Sequence, residues 1–353
     1  MQRAELERRV RDGEVLSGAS LQGADLSGAS LNGALLEGCD LRRATLSGAS
    51  LREAVLYRCD LSGATLDGAD LRRATLDAGV LDGASLREAA LTFTLFSNSD
   101  LTGAVMEGAT FMAPRFYKCG MTRASMRGCL LDQTVLIECG VDAMDLSNAR
   151  LQQSSVMQTD LRRVTLAGVR MELAVLLGSD LSGLDLSGLD LSASQFMDAK
   201  LLGTKLVEAT LDRCNFKGAD LTGADLTAAR APMTLCFEAT LDGLKAPRAT
   251  LTQSVFMAAS LDGADLTGAH LLQCNFTRAK ARRARFRGAE LTYADFSNAD
   301  VSGSDFDGAR LHRAVLHRVT DADAWWGDRS GALGDDPELA RAQDFDPRRG
   351  ATP

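Results

Sequence analysis

Large aromatic side chains are scarce in this 353-residue chain: only 5% of residues are Phe, Trp or Tyr. Ordinary cores lean on aromatics, so something else must fill this one. No cleaved leader is expected either. The start, MQRAELERRVRDGEV, is charged throughout and has no apolar segment of the kind a cleaved signal carries. No stretch approaches the roughly 20 continuous apolar residues of a membrane span. A cytoplasmic location is expected, with export by a route that needs no cleaved signal left open. The net charge is -8, which argues against a nucleic-acid or membrane-surface binder.

The residues that usually carry chemistry are sparse too. There are three histidines, His270, His312 and His317, and none sits with a Ser or Cys nucleophile in a recognisable motif. There is no CxxC, so a zinc site is not expected. No phosphate-binding loop and no GxGxxG between a strand and a helix occur. Neither catalysis nor a cofactor is expected.

What the chain has is a period. From Leu16 to Leu316 every fifth residue is large and apolar, save Ala231, Cys236, Ala246 and Ala281. Two residues before most centres stands a small residue, mostly Ala, with Cys, Ser, Thr and a few larger residues elsewhere, and the consensus is A-(D/S/T)-L-x-G. A period of five fits neither a helix nor a two-residue strand alternation. It fits a short extended step followed by a turn. GADLSGASL, GADLTGADL and GADLTGAHL resemble the motif of the pentapeptide-repeat family over about residues 16 to 318. That resemblance implies an all-β, right-handed quadrilateral parallel β-helix with twenty residues per coil. About fifteen coils are expected, some 70 Å long at a rung spacing of about 4.8 Å. The expected division is a cap at 1–14, the solenoid at 15–318 and a non-repeat tail at 319–353.

Sorting the centres by twenties supports that coil. Phe96, Phe116, Phe196, Phe216, Phe256, Phe276 and Phe296 fall in one column, where rings can stack. The outward residue after each centre of that same column is unusual. It is Tyr57 low in the chain, then Tyr117, Ile137, Met157, Leu177, Met197, Lys217, Phe237 and Met257. The other columns carry mainly polar residues there. The expectation is an apolar strip of about 350 Å² on one face. That is ordinary in area but not in alignment, so it suits a protein partner, a second copy, or the chain's own tail. Met suits an adaptable contact.

Seven cysteines occupy the small inward position and Cys236 is a centre, so all eight are read as buried structural residues. Asp40, Asp60, Asp100, Asp160, Asp180 and Asp220 form ladders before the centres, where Asp can bond to nearby backbone. Some pentapeptide-repeat proteins bind DNA gyrase by mimicking DNA with acidic rods, which gives a rival reading. Many outward arginines, such as Arg42, Arg72, Arg162 and Arg282, make this surface mixed instead. The segment LERRVRDGEVLSGASLQGADLSG looks similar to family members associated with bacterial type VI secretion. That resemblance implies a secretion spike or effector as partner.

Two irregular segments remain. RAPMTLCFEATLDGLKAPRAT holds three of the small centres and two prolines. It is expected to bulge, with Met233, Leu235 and Leu244 refilling the core. The tail holds the only tryptophans, Trp325 and Trp326, which could cap the last coil or anchor a partner. DDPELARAQ is expected to make a turn or two of helix, with loose residues after it.

Overall fold

The computed structural model describes residues 1–344, so the last part of the expected tail lies outside the described residues. The chain divides into two units. Unit 1 holds Met1–Leu184 and Leu189–Lys200, and unit 2 holds Asp185–Gly188 and the chain from Leu201 onward.

Unit 1 opens with helix α1, Arg3–Arg11, whose Leu6 and Val10 are buried. It is tied to the coils by Arg3, whose guanidinium donates to the carbonyls of Ser27 and Gly28 at 2.6 and 2.7 Å. Glu7 accepts from the Ser30 N–H at 2.9 Å. Twelve short strands follow. They are β1 (Val15–Ser17), β2 (Leu35–Glu37), β3 (Val55–Tyr57), β4 (Thr75–Asp77), β5 (Leu95–Ser97) and β6 (Phe111–Met112). Then come β7 (Arg115–Tyr117), β8 (Leu130–Asp132), β9 (Val135–Ile137), β10 (Arg150–Gln152), β11 (Ser155–Met157) and β12 (Arg170–Glu172). Eight of them form one parallel sheet in the order β1-β2-β3-β4-β5-β7-β9-β11, and β12-β10-β8-β6 form a second. The register is twenty residues at every rung, as in Leu16↔Leu36 and Phe116↔Leu136.

Strand-bearing rungs on the first face number eight, fewer than the fifteen coils expected. In unit 2 the twenty-residue register is held by isolated parallel bridges, such as Leu235↔Val255 and Asp265↔Arg285. The helix α2 (Pro337–Gln343) follows, with Asp336 accepting from the N–H groups of Glu338 and Leu339 as its N-cap.

The small inward residues do more than leave room. At a closed turn the N–H three residues after the centre donates to the centre's own carbonyl, as Ala24 does to Leu21 at 3.0 Å. At the strand faces a hydroxyl from the next coil is inserted into that turn. Ser99 Oγ accepts from the Gly79 N–H at 3.1 Å and donates to the Leu76 carbonyl at 3.2 Å. Ser154 does the same between Thr134 and Leu131, at 3.1 and 2.6 Å. The thiols of Cys39, Cys119 and Cys139 reach the equivalent carbonyls of Leu16, Phe96 and Phe116. A buried carbonyl left without a partner is costly, which explains Ser, Thr and Cys where Ala is the rule.

Phenylalanines stack as the column sorting implies. Ring centroids are 4.9 Å apart for Phe96 and Phe116 in unit 1. In unit 2 they are 4.8 Å apart for Phe256 and Phe276 and 4.7 Å for Phe276 and Phe296. Phe286 and Phe306 make a second stack that meets the first edge to face at 5.8–5.9 Å.

The segment at 230–250 does not bulge. Its bridges continue at Arg230↔Thr250 and Leu235↔Val255. The reason lies in which N–H the prolines lack. In neighbouring steps the N–H after the centre goes to the side chain before it, as Thr222 to Asp220 and Thr227 to Asp225, both at 3.0 Å. Pro232 and Pro247 take that position and remove no ladder donor. Their carbonyls still accept from Arg213 and Ala228 at 2.9 and 3.0 Å. Leu244 is buried beside the small centre Ala246, whereas Met233 and Leu235 are exposed and refill nothing.

Candidate binding surface

Each three-residue strand of the first sheet buries its centre and turns both neighbours outward, so side chains twenty residues apart line up on the outer face. In unit 1 this register places Tyr117, Ile137 and Met157 directly over one another. Backbone bonds from Gln158 to Leu177 and from Gly178 to Met197 carry the column on. Tyr117 is 38% exposed. Ile137, Met157, Leu177 and Met197 are half-buried. Val135 and Val175 flank them, also half-buried. The Lys118 ammonium lies 4.9 Å from the Tyr117 ring centroid and 3.6 Å from Glu138, and both partners raise its pKa. Unit 2 places Phe237 and Met257 half-buried in its own column, with the Lys217 ammonium 5.7 Å from the Phe237 centroid.

Of the two tryptophans, Trp325 is 64% exposed. Trp326 is not available to a partner. It is 9% exposed, stacks on Phe306 at 4.3 Å and donates to Asp321 at 3.0 Å. It extends the second phenylalanine stack by one ring, and the flat indole covers the end of that column.

The twenty-residue register and the five-residue step on which this surface stands match two known sequence patterns. The first, described as pentapeptide repeats, matches in eight copies: residues 12–38, 39–77, 80–113, 159–194, 194–230, 235–273, 271–308 and 294–320. The second, a pentapeptide repeat region, matches residues 99–176. The chain belongs to the pentapeptide-repeat family. Among solved pentapeptide-repeat structures it is similar to HetL, a protein involved in heterocyst differentiation regulation from the cyanobacterium Nostoc sp. strain PCC 7120. The identity is 25%, 89% of this chain and 96% of that chain are covered, and the TM-score is 0.29. It is also similar to QnrB1, a plasmid-mediated fluoroquinolone resistance protein, at 20% identity over 56% of this chain and 98% of that chain, TM-score 0.19. A third is Rfr23 from the cyanobacterium Cyanothece 51142, at 19% identity over 44% and 91%, TM-score 0.12. No curated protein matches.

Within this pentapeptide-repeat chain, the eight copies skip residues 114–158. That gap holds Tyr117, Ile137 and Met157, and the second sheet runs through it. Reading only one column missed four exposed side chains beside the strip: Phe93, Met112, Leu130 and Leu173. A signal for two of them was present. Phe93 and Leu173 stand where the repeat favours Gly, and both take a positive φ, 57° and 55°. Bulky residues adopt that backbone only at a cost.

The aspartate ladders are compensated in part. Arg42 reaches Asp40 at 2.7 Å and Asp60 at 3.7 Å, and Arg162 reaches Asp160 at 2.6 Å and Asp180 at 3.6 Å. The Arg42 guanidinium holds the Asp40 carboxyl down at about 2. All eight cysteines are free and buried. Burial pushes the thiols of Cys236 and Cys274 up to about 12, which keeps them protonated and unreactive. Among the described residues no group of His, Cys, Asp and Glu could hold a metal ion, and no helix is long and apolar enough to cross a membrane.

Proposed function

We propose that this pentapeptide-repeat chain is a non-catalytic scaffold that binds a protein partner through the outer face of the first sheet. One observation carries the reading: Tyr117, Ile137, Met157, Leu177 and Met197 occupy one outward column of unit 1, a position that in the other columns is mainly polar. In unit 2, Phe237, Met257 and the exposed Trp325 are further contact residues of the same reading. The partner is a spike or effector component of type VI secretion, with the chain acting in the cytoplasm during effector loading; the resemblance of residues 6–28 supports this narrower assignment. A gyrase-binding DNA mimic is the rival, and it needs uncompensated acid. The pairing of Asp40, Asp60, Asp160 and Asp180 with arginines speaks against it.

Affinity purification from the producing cell tests the proposal. The unaltered chain is expected to retain one partner, and a variant carrying Met157→Asp, Leu177→Asp and Met197→Asp to lose it. Retention of every partner by that variant removes the strip as a binding surface. Inhibition of DNA supercoiling at micromolar protein would instead favour the rival.

A further inference from the structure

The second sheet of unit 1 carries an arrangement that neither the repeat nor the strip explains. Strands β8, β10 and β12 pair in register, so Leu130, Arg150 and Arg170 stand one above another on the outward side. All three are exposed, Leu130 at 51%. Like charges opposite each other on adjacent strands repel, and rungs lie only about 4.8 Å apart. Some arginines of unit 1 are answered with acid: Arg162 meets Asp160, and Arg163 meets Asp142 at 3.1 Å. Among the described residues Arg150 and Arg170 make no ion pair. Instead they line a cleft of about 160 Å³ together with Leu130, Gln152 and Glu172. Exposed Met112 lies at the start of the same sheet and exposed Leu173 follows β12 at its corner.

We infer that this sheet face docks an acidic-apolar segment of a partner protein, with a carboxylate held between Arg150 and Arg170 and a large apolar side chain on Leu130. The chemistry of the site selects that occupant. Two guanidiniums one rung apart present planar donor forks to a single carboxylate, and the leucine next to them offers an apolar seat. A phosphodiester backbone, with a charge at every residue, fits less well than a single carboxylate, because Glu172 borders the cleft and Asp132 pairs with Gln152 on the neighbouring rung. A two-fold contact between copies fails as well, since it would turn the same arginine column towards itself. The inference does not depend on the strip, which lies on the other sheet.

The test is selection of a displayed random twelve-residue peptide library on the full chain. Enriched peptides are expected to place Asp or Glu within four residues of Leu, Ile or Phe. A synthetic enriched peptide, followed by fluorescence anisotropy, is expected to bind at least tenfold more weakly to the Arg150→Glu/Arg170→Glu variant. It is expected to bind unchanged to Tyr117→Asp/Ile137→Asp. Enrichment of basic peptides, an unchanged affinity for the arginine variant, or displacement of the peptide by duplex DNA at equal phosphate would each overturn the inference. Loss of binding in the Tyr117/Ile137 variant alone would place the peptide on the strip, which refutes this site and supports the proposed function.

Discussion

Between Val15 and Glu172, unit 1 widens its steps into three-residue strands on two faces, whereas from Leu201 onward unit 2 meets its neighbouring coils through single bridges. The inner fillings differ in parallel. Unit 2 holds two phenylalanine stacks that interlock edge to face, the second of which ends on Trp326. Unit 1 relies mainly on leucine and methionine centres, while hydroxyls bridge turns in both units, as Ser154 does in unit 1 and Ser254 in unit 2. The outer faces differ as well, because a strand presents flat, aligned neighbours, and that is where unit 1 gathers Tyr117, Ile137 and Met157. The same five-residue step thus yields a ring-locked interior in one unit and flat outer faces in the other.

The largest test of this contrast is aromatic. Phe276 touches three rings and Phe116 is stacked on Phe96. Phe276→Ala is expected to cost about 3–5 kcal/mol and Phe116→Ala to fall at the lower end of that range, both read by urea unfolding. Equal costs would mean that the edge-to-face contacts add nothing. Backbone position gives the next effect. The Thr250 N–H donates to the Ala229 carbonyl at 2.9 Å, so Thr250→Pro is expected to destabilise by about 2–3 kcal/mol. Thr252→Pro, at the position that Pro232 and Pro247 already occupy, is expected to be within about 0.5 kcal/mol of neutral.

The opened turns come next. Ser154→Ala removes a buried bridge between Thr134 and Leu131 and is expected to cost about 1–3 kcal/mol. The exposed Ser187→Ala is expected to cost under about 0.5 kcal/mol. The smallest effect is acid-dependent. The folded pKa of Asp40 lies at about 2, below its unfolded value. Its contribution is therefore fully present above about pH 4 and is lost as pH falls towards 2. Arg42→Ala is expected to move the Asp40 carboxyl towards the ordinary range, as seen by carbon NMR of the side chain.

Much of this was legible in the residues. The unbroken step from Leu16 to Leu316 and the column of phenylalanines define the parallel register, because a twenty-residue coil is the period at which both align. The turns that open were not legible. An opened step can be bridged by a hydroxyl twenty-three residues further on, as with Leu131 and Ser154, and a one-column reading treats that serine as a small filler. For the same reason the second sheet, with Leu130, Arg150 and Arg170, went unseen. The prolines at 232 and 247 misled in the opposite direction, since they suggested a bulge where the ladder needs no donor. The strip residues stood out by type, but that most of them are only half-exposed was not legible.

The most direct test of the central claim is hydroxyl-radical footprinting of the chain with and without its purified partner. Met157 and Met197 face outward in unit 1, and Met233 is exposed in unit 2 away from that column. Binding through the first sheet predicts that the partner slows oxidation of Met157 and Met197 several-fold and leaves Met233 unchanged. Equal oxidation of Met157 and Met197 in the free and bound states would contradict it.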